Sequence, residues 1–349
     1  MALHSSDPAS VYLSAAARME RPTIETIESE LYDDPTVIRH HAMRRTLWVM
    51  TPRIAEAAHA ACSRKIAAAE RTKALKWLEG DEEWLDDATA RVVGLVAERG
   101  PMPTRDVGDA LPDLARPIVL AAGTPNEATI SGHGRALLIA AFDGGVTRGR
   151  PLGSWVGTQY AWSAGRTDLD WEAHDPSTGT RLLVEAWLRR FGPGTIADLT
   201  WWGGLTTTAV RTALADLGAI TVDLAAGEGY LLPDDRDRDP DPGPWVALLP
   251  GLDPAAMGWK QRDWYLGEVV AARVTDRMGN IGPTVWADGR IVGGWVQRPD
   301  GEIALDLPDP LPRRHRTLLD TEIDRLQAFL GDRRFRVRFP SPNQRELLA

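Results

Sequence analysis

From Arg181 to Pro233 the apolar positions change period in a definite order. LLVEAWLRRF carries its apolar residues at helical spacing and stops at Gly192-Pro193-Gly194. Thr195 is the predicted N-cap of a short helix, IADLTWW, which Gly203-Gly204 ends. TTTAVRTALADLG then predicts a second helix closing at Gly218, with Thr207–Leu217 as its recognition stretch. AITVDLAAGEGYLLP follows as two strand-type runs around a glycine-containing turn, a hairpin. Three helices and a hairpin in this order, with a tight turn between the second and third helices, predict a winged-helix unit over 178–233.

A weaker copy precedes it. DEEWLDDATARVVGLVAERG predicts a helix, Pro101-Met102-Pro103-Thr104 opens the next, RDVGDAL, and ISGHGRALLIAAF predicts a third before the candidate wing GVTRGRPLGSWVGTQYAWSA. ERGPMPTRD and RRFGPGTIAD both place Gly-Pro and then Thr between first and second helix, separated by two residues in the one and by one in the other, a faint internal repeat that assigns a second unit to 81–170. The start of the chain has the same layout without an opening helix. Asp7-Pro8 predicts a cap and first helical turn for ASVYLSAAARM, Thr23 caps IETIESELY, and TVIRHHAM turning into RRTLWVM predicts a hairpin, so 1–80 is a first unit incomplete at its N-terminus. A late start of the chain, a missed upstream start or an incomplete unit would each account for the missing helix. DDRDRDPD lies within an acidic linker, 234–244. Over 245–349 the pattern turns to short strands between Gly, Pro and Asp-Gly turns (WVALLP, TVWADGRIVGGWV, EIALDL), followed by an amphipathic helix, RRHRTLLDTEIDRLQAFLG, and an alternating last strand, RRFRVRF. The fold class is therefore α+β: tandem winged-helix units with helix-turn-helix cores and a C-terminal β-barrel-like domain.

Charge sharpens this picture. The net charge is −9, yet Pro35–Lys76 holds nine Lys or Arg against Glu56 and Glu70, and 131–167 holds four arginines against Asp143 alone. A chain polarised in this way is suited to duplex phosphate on one surface and does not coat nucleic acid indiscriminately. The candidate DNA-binding residues are those of the two predicted wings: Arg39, Arg44 and Arg45 in the first, and Arg148, Arg150, Trp155 and Tyr160 in the second, where basic and aromatic groups together suit backbone and unpaired bases. Cys62, the single cysteine, has no partner in the chain and lies in a helical stretch, so an inert thiol is expected. No apolar run approaches the length of a membrane span and no signal segment opens the chain, which predicts a cytoplasmic, nucleoid-associated protein without membrane contact. His40 and His41, adjacent on a strand, point to opposite faces and lack a third ligand, and Gly132-His133-Gly134 lacks a phosphate-loop context, so neither a metal nor another cofactor is expected.

Several stretches together resemble the AlkZ/YcaQ-like winged-helix family, which includes DNA glycosylases that unhook interstrand crosslinks. They are Leu3–Pro8, Met43–Leu47, Phe191-Gly192-Pro193 through Trp201-Trp202-Gly203-Gly204-Leu205, Leu249–Pro254 (LPGLDP), and Ile281–Val285 with Asp288–Gly293. The resemblance runs from Leu3 to about Gly331 and implies three tandem winged helices with a β-barrel. In that family the stretch before the first capped helix reads Leu-Gln-x-Gln or Leu-Gln-x-Asp, and its polar pair places and activates the attacking water. Here His4 and Ser6 hold those places, with Asp7 one residue out of register. The resemblance thus implies a monomeric protein acting on duplex DNA, damaged duplex included, with His4, Ser6 and Asp7 as candidate catalytic residues. A non-catalytic DNA-binding protein or transcriptional regulator with the same surface is the alternative.

Overall fold

The computed structural model describes residues 2–125, 127–237, 239–338 and 340–349. The chain forms two compact units, one of Met1–Pro35 with Val184–Ala349 and one of Thr36–Leu183. The first begins with β1 (Ala2–His4) and α1 (Pro8–Ala16), started as expected by Asp7 and Pro8. Val11, Tyr12 and Leu13 of α1 are all buried. Thr23 caps α2 (Ile24–Glu28) through the Thr26 N–H at 3.1 Å, and the helix loosens into a π turn at Ser29–Asp33.

In the Thr36–Leu183 unit, β2 (Ile38–His41) and β3 (Leu47–Met50) form the expected hairpin, with His40 opposite Trp48. Its turn places Arg44 and Arg45 at φ of 54° and 63°, a region that L side chains enter only when the surroundings hold them there. The Trp48 Nε1–H donates to the Met43 carbonyl at 3.1 Å, and the Ala42 N–H donates to the Thr46 carbonyl at 2.9 Å, closing the turn. One long helix follows as α3 (Pro52–Ala58), a π turn at His59–Ser63 and α4 (Arg64–Trp77). The wider turn brings both His59 and Ser63 against His40.

Next come α5 (Glu82–Arg99) and α6 (Thr104–Ala110), then a hairpin of β4 (Pro117–Leu120) and β5 (Ala128–Ser131) that no sequence pattern announced. It leads into α7 (Gly132–Phe142), followed by the expected pair of strands, β6 (Val146–Pro151) and β7 (Tyr160–Ala164). Val92, Val96, Val107, Leu137 and Trp162 form the core of this segment. The helix expected from Ile130 starts at Gly132, because Ser131 ends β5 and acts as N-cap to the Gly134 N–H.

α8 (Pro176–Phe191) spans the boundary between the units. α9 (Ile196–Gly203) opens on a Thr195–Asp198 capping box and closes on Gly204 in the left-handed region; α10 (Thr207–Asp216) and the hairpin of β8 (Ile220–Leu224) with β9 (Gly227–Leu231) follow as expected. Gly194 bridges to β9 through two main-chain bonds with Tyr230. A Cβ there would lie 2.3 Å from the Trp187 ring, so only glycine fits under that indole.

The remainder departs from expectation in two places. β10 (Val246–Leu249), α11 (Pro254–Met257), α12 (Glu268–Val274), β11 (Thr284–Ala287), β12 (Arg290–Gln297) and β13 (Ile303–Asp306) precede α13 (Arg313–Leu330) and α14 (Pro342–Leu348). The strands pair antiparallel in the order β10-β11-β12-β13, an open sheet among the described residues and not the barrel-like closure expected. Helices take the place of further strands: α13 packs on β10, and α14 on β12 and β13. The last predicted strand is also absent. Residues 333–338 run as an irregular strap. The Gln297 side chain pairs with the strap's backbone twice, donating to the Arg333 carbonyl at 3.0 Å and accepting from the Phe335 N–H at 3.2 Å. Phe339 of that prediction, and Arg238 of the acidic linker, lie outside the described residues.

Candidate functional site

The candidate catalytic segment is the junction between β1 and α1. His4 ends the strand, half-buried, and its Nδ1 accepts a long hydrogen bond from the Ser6 N–H at 3.4 Å. A neutral ring that accepts at Nδ1 carries its proton on Nε2. Ser6 is half-buried and Asp7 is 5% exposed. Asp7 Oδ1 accepts from the Ala9 N–H at 3.2 Å, and its Oδ2 from the Arg338 N–H at 3.3 Å. The Arg338 guanidinium donates to the Ser6 carbonyl at 2.8 Å. Burial raises the proton affinity of the Asp7 carboxyl, against the pull of the Arg338 and Ala9 N–H groups and the Arg338 charge.

α1 is anchored from behind by Asp253, a residue that pattern reading passed over. Fully buried, it accepts from Ser14 Oγ at 2.6 Å and from both Nη atoms of Arg18 at 2.8 Å, and it caps α11 through the Ala255 N–H at 2.8 Å. Its signal was present, because Leu252-Asp253-Pro254 repeats the Asp-Pro cap of Asp7-Pro8.

In the other unit the wing residues divide into supports and surface. Arg39 is 7% exposed, donates to the Gly149 carbonyl at 2.8 Å, and has its own carbonyl bonded by the Thr147 hydroxyl. It ties β2 to β6. Trp155 is 3% exposed inside the second wing. Both were expected as contact residues; their burial makes them builders of the surface, able to act on a ligand only through the elements they hold. Arg44 and Arg150 are exposed. Arg148 lies 4.2 Å over the half-buried Tyr160 ring, a cation–π contact.

Arg45 reaches Glu70 at 2.8 Å, and buried Glu70 also takes Arg135 at 2.8 Å and Lys73 at 3.0 Å. Burial pushes the Glu70 carboxyl up, but Lys73, Arg45 and Arg135 outweigh it and hold it below its usual range. Arg135 is itself buried, over the Trp77 ring at 4.7 Å. Glu70→Gln should therefore cost about 3–5 kcal/mol by leaving Arg135 without its counter-charge. Urea denaturation of the two proteins measures this, and a loss under about 1 kcal/mol would mean the cluster is hydrated.

His40 and His41 face opposite sides of their strand, as expected. His40 Nε2 lies 3.1 Å from both His59 Nδ1 and Ser63 Oγ, beneath Trp171 at 4.5 Å, while His41 packs on Phe142 at 5.1 Å. Among the described residues no group of three or more His, Cys, Asp or Glu side chains is placed to hold a metal ion. Burial pushes the Cys62 thiol up to about 12, which leaves it protonated and unreactive at neutral pH. Among the described residues no helix is long and apolar enough to cross a membrane.

Residues 1–329 match the DNA glycosylase AlkZ-like family. The chain belongs to that family. Among its relatives is an interstrand DNA cross-link repair glycosylase of Streptomyces sahachiroi, 24% identical over 319 residues, which are 85% of this chain and 80% of the relative. The solved structure of the Streptomyces sahachiroi DNA glycosylase AlkZ superposes with a TM-score of 0.69 at 18% identity, over 97% of this chain and 90% of that one. At that identity the likeness establishes a shared mixed α/β fold. The family match stops within α13, so the strap at 333–338 and α14 lie beyond it.

Proposed function

We propose that this AlkZ-like protein is a DNA glycosylase that hydrolyses the N-glycosidic bond of alkylated or crosslinked bases in duplex DNA, acting as a monomer through tandem winged-helix units. The observation that carries the reading is the order of the His4–Asp7 segment. A strand end, a buried helix cap and a guanidinium clamp hold this segment in one conformation, which supports reading it as the counterpart of the family's catalytic pair. A purine alkylated on the ring is cationic and a good leaving group. Its departure develops oxocarbenium charge on the sugar, so the protein must place a water and supply negative potential more than it must deprotonate a nucleophile. In this reading the His4 Nε2–H and the Ser6 hydroxyl hold the water, and Asp7 sets the local charge.

A second reading has its own support. His4 and Ser6 replace the family's polar pair, and both Asp7 oxygens are engaged by main-chain N–H groups. These features favour a DNA-binding protein without excision, such as a transcriptional regulator. Duplexes carrying an alkylated purine, an interstrand crosslink or uracil, incubated with the protein and scored for abasic sites, separate the two. Release from the alkylated or crosslinked duplexes, lowered about 100-fold by His4→Ala with duplex affinity kept within a few fold, is the expected result. No release from any duplex sinks the glycosylase reading, and release that survives His4→Ala and Asp7→Asn together places the chemistry elsewhere.

A further inference from the structure

The strap at 333–338 lies outside the family match, yet it makes two of the contacts that shape the candidate catalytic segment. We propose that Arg338 is a positioning residue of that segment, holding Ser6 through its guanidinium and Asp7 through its main-chain N–H. This rests on the reading of His4–Asp7 as the active segment.

The strap can bear such a role because it is fixed upstream. Phe335 is buried with its ring 5.9 Å from Trp295, and the Gln297 side chain pairs with the main chain on both sides of Arg334. Arg334 donates to the carbonyls of Pro299 and Asp300, closing the strap onto the loop after β12. From this base the chain delivers Arg338 to the β1–α1 junction, where the guanidinium meets the Ser6 carbonyl at 2.8 Å and the N–H meets Asp7 Oδ2 at 3.3 Å.

The geometry has a chemical consequence. The Ser6 carbonyl belongs to the peptide that leads into Asp7, so bonding it restrains the rotation of that peptide and with it the backbone from which the Ser6 and Asp7 side chains project. The Arg338 N–H occupies the carboxylate oxygen that Ala9 does not, which fixes the rotamer of Asp7. Among the described residues the Arg338 guanidinium is the charge that acts on Asp7, with the Ala9 and Arg338 N–H groups as the carboxyl's main-chain hydrogen-bond donors. Without Arg338 the carboxyl should bind its proton more tightly, since burial would act with less opposition.

The contacts separate by substitution in the full chain. Arg338→Ala keeps the main-chain donor and loses the guanidinium; Arg338→Pro also loses the N–H; Arg338→Lys restores a cation. Single-turnover base release on an alkylated duplex is one readout, and the Asp7 carboxyl titration, followed by carbon NMR, is the other. Arg338→Ala should slow release about tenfold to a hundredfold at unchanged duplex affinity, with Arg338→Lys between it and wild type. Both Arg338→Ala and Arg338→Pro should move the Asp7 titration to higher pH. The titration needs no activity, so it tests the strap's hold on Asp7 even if the wild-type protein releases no base. An Asp7 titration identical in wild type, Arg338→Ala and Arg338→Pro overturns the proposal, as does wild-type release that Arg338→Ala leaves unchanged.

Discussion

Lowering the pH from 7 to 5 should cost the folded protein about 4 kcal/mol through two histidines alone. Burial pushes His41 down to about 3, helped by Arg148, Arg39 and Arg45, and pushes His59 down to about 4, helped by Arg64. His40, fully enclosed beside His59 and His41, is shifted the same way. In the unfolded chain each imidazole has its ordinary pKa near 6.5 and takes up a proton as the pH falls, whereas the folded chain keeps them neutral. The stability from these groups is complete above about pH 6.5 and falls below it by roughly 1.4 kcal/mol per pH unit per histidine. The loss levels off only near the folded values of 4 and 3. Against the roughly 5–15 kcal/mol that holds a typical domain folded, this is a large share. Chemical denaturation at pH 7, 6 and 5 checks it, with His59→Gln expected to flatten the slope. A midpoint that stays constant over that range would show that the three rings are hydrated in the folded state.

The same histidines show where sequence reading reached and where it stopped. Strand alternation sent His40 and His41 to opposite faces, and the structure agrees. That both faces are buried followed from the π turn at His59–Ser63 and Trp171 against His40, and from Phe142 against His41, the two aromatic residues lying about 100 residues or more along the chain. No local pattern encodes such packing. Caps were legible because they are local: Asp7, Thr23 and Thr195 each serve the N–H groups two or three residues on. The type of turn at Asp288-Gly289 was equally plain, with φ of 45° and 82° at the two positions. The β4–β5 hairpin was not, since Pro117–Leu120 is too short to declare a strand and Ile130 also fits the helix that follows. RRFRVRF alternates like a strand, but Gln297 satisfies the main chain where a neighbouring strand would have. At the candidate sites, residue type identified the arginines, while burial decided which of them can meet a ligand; Arg39 and Arg44 look alike in sequence and differ in the structure only by what surrounds them.

Duplex affinity should depend most steeply on Arg44 and Arg150, exposed arginines of the β2–β3 and β6–β7 hairpins. Each guanidinium that neutralises a phosphate releases condensed counterions and contributes about 0.9 to the slope of log affinity against log salt, so Arg44→Ala with Arg150→Ala should lower that slope by about 2. Arg45 and Arg148 are placed differently. Arg45 shares Glu70 with Arg135 and Lys73, and Arg148 lies over Tyr160, so part of each charge is already compensated or held off by a ring. Arg45→Ala and Arg148→Ala should therefore each change the slope by less than about half of the roughly 0.9 that a full phosphate contact contributes. Arg45→Ala should also release the turn at Met43–Arg45, lowering affinity at every salt concentration by a constant factor. Titrations of a labelled duplex at 50, 100 and 200 mM salt distinguish a change of slope from a change of intercept. Equal slopes for wild type and a variant lacking all four arginines would place the duplex on another face of the protein.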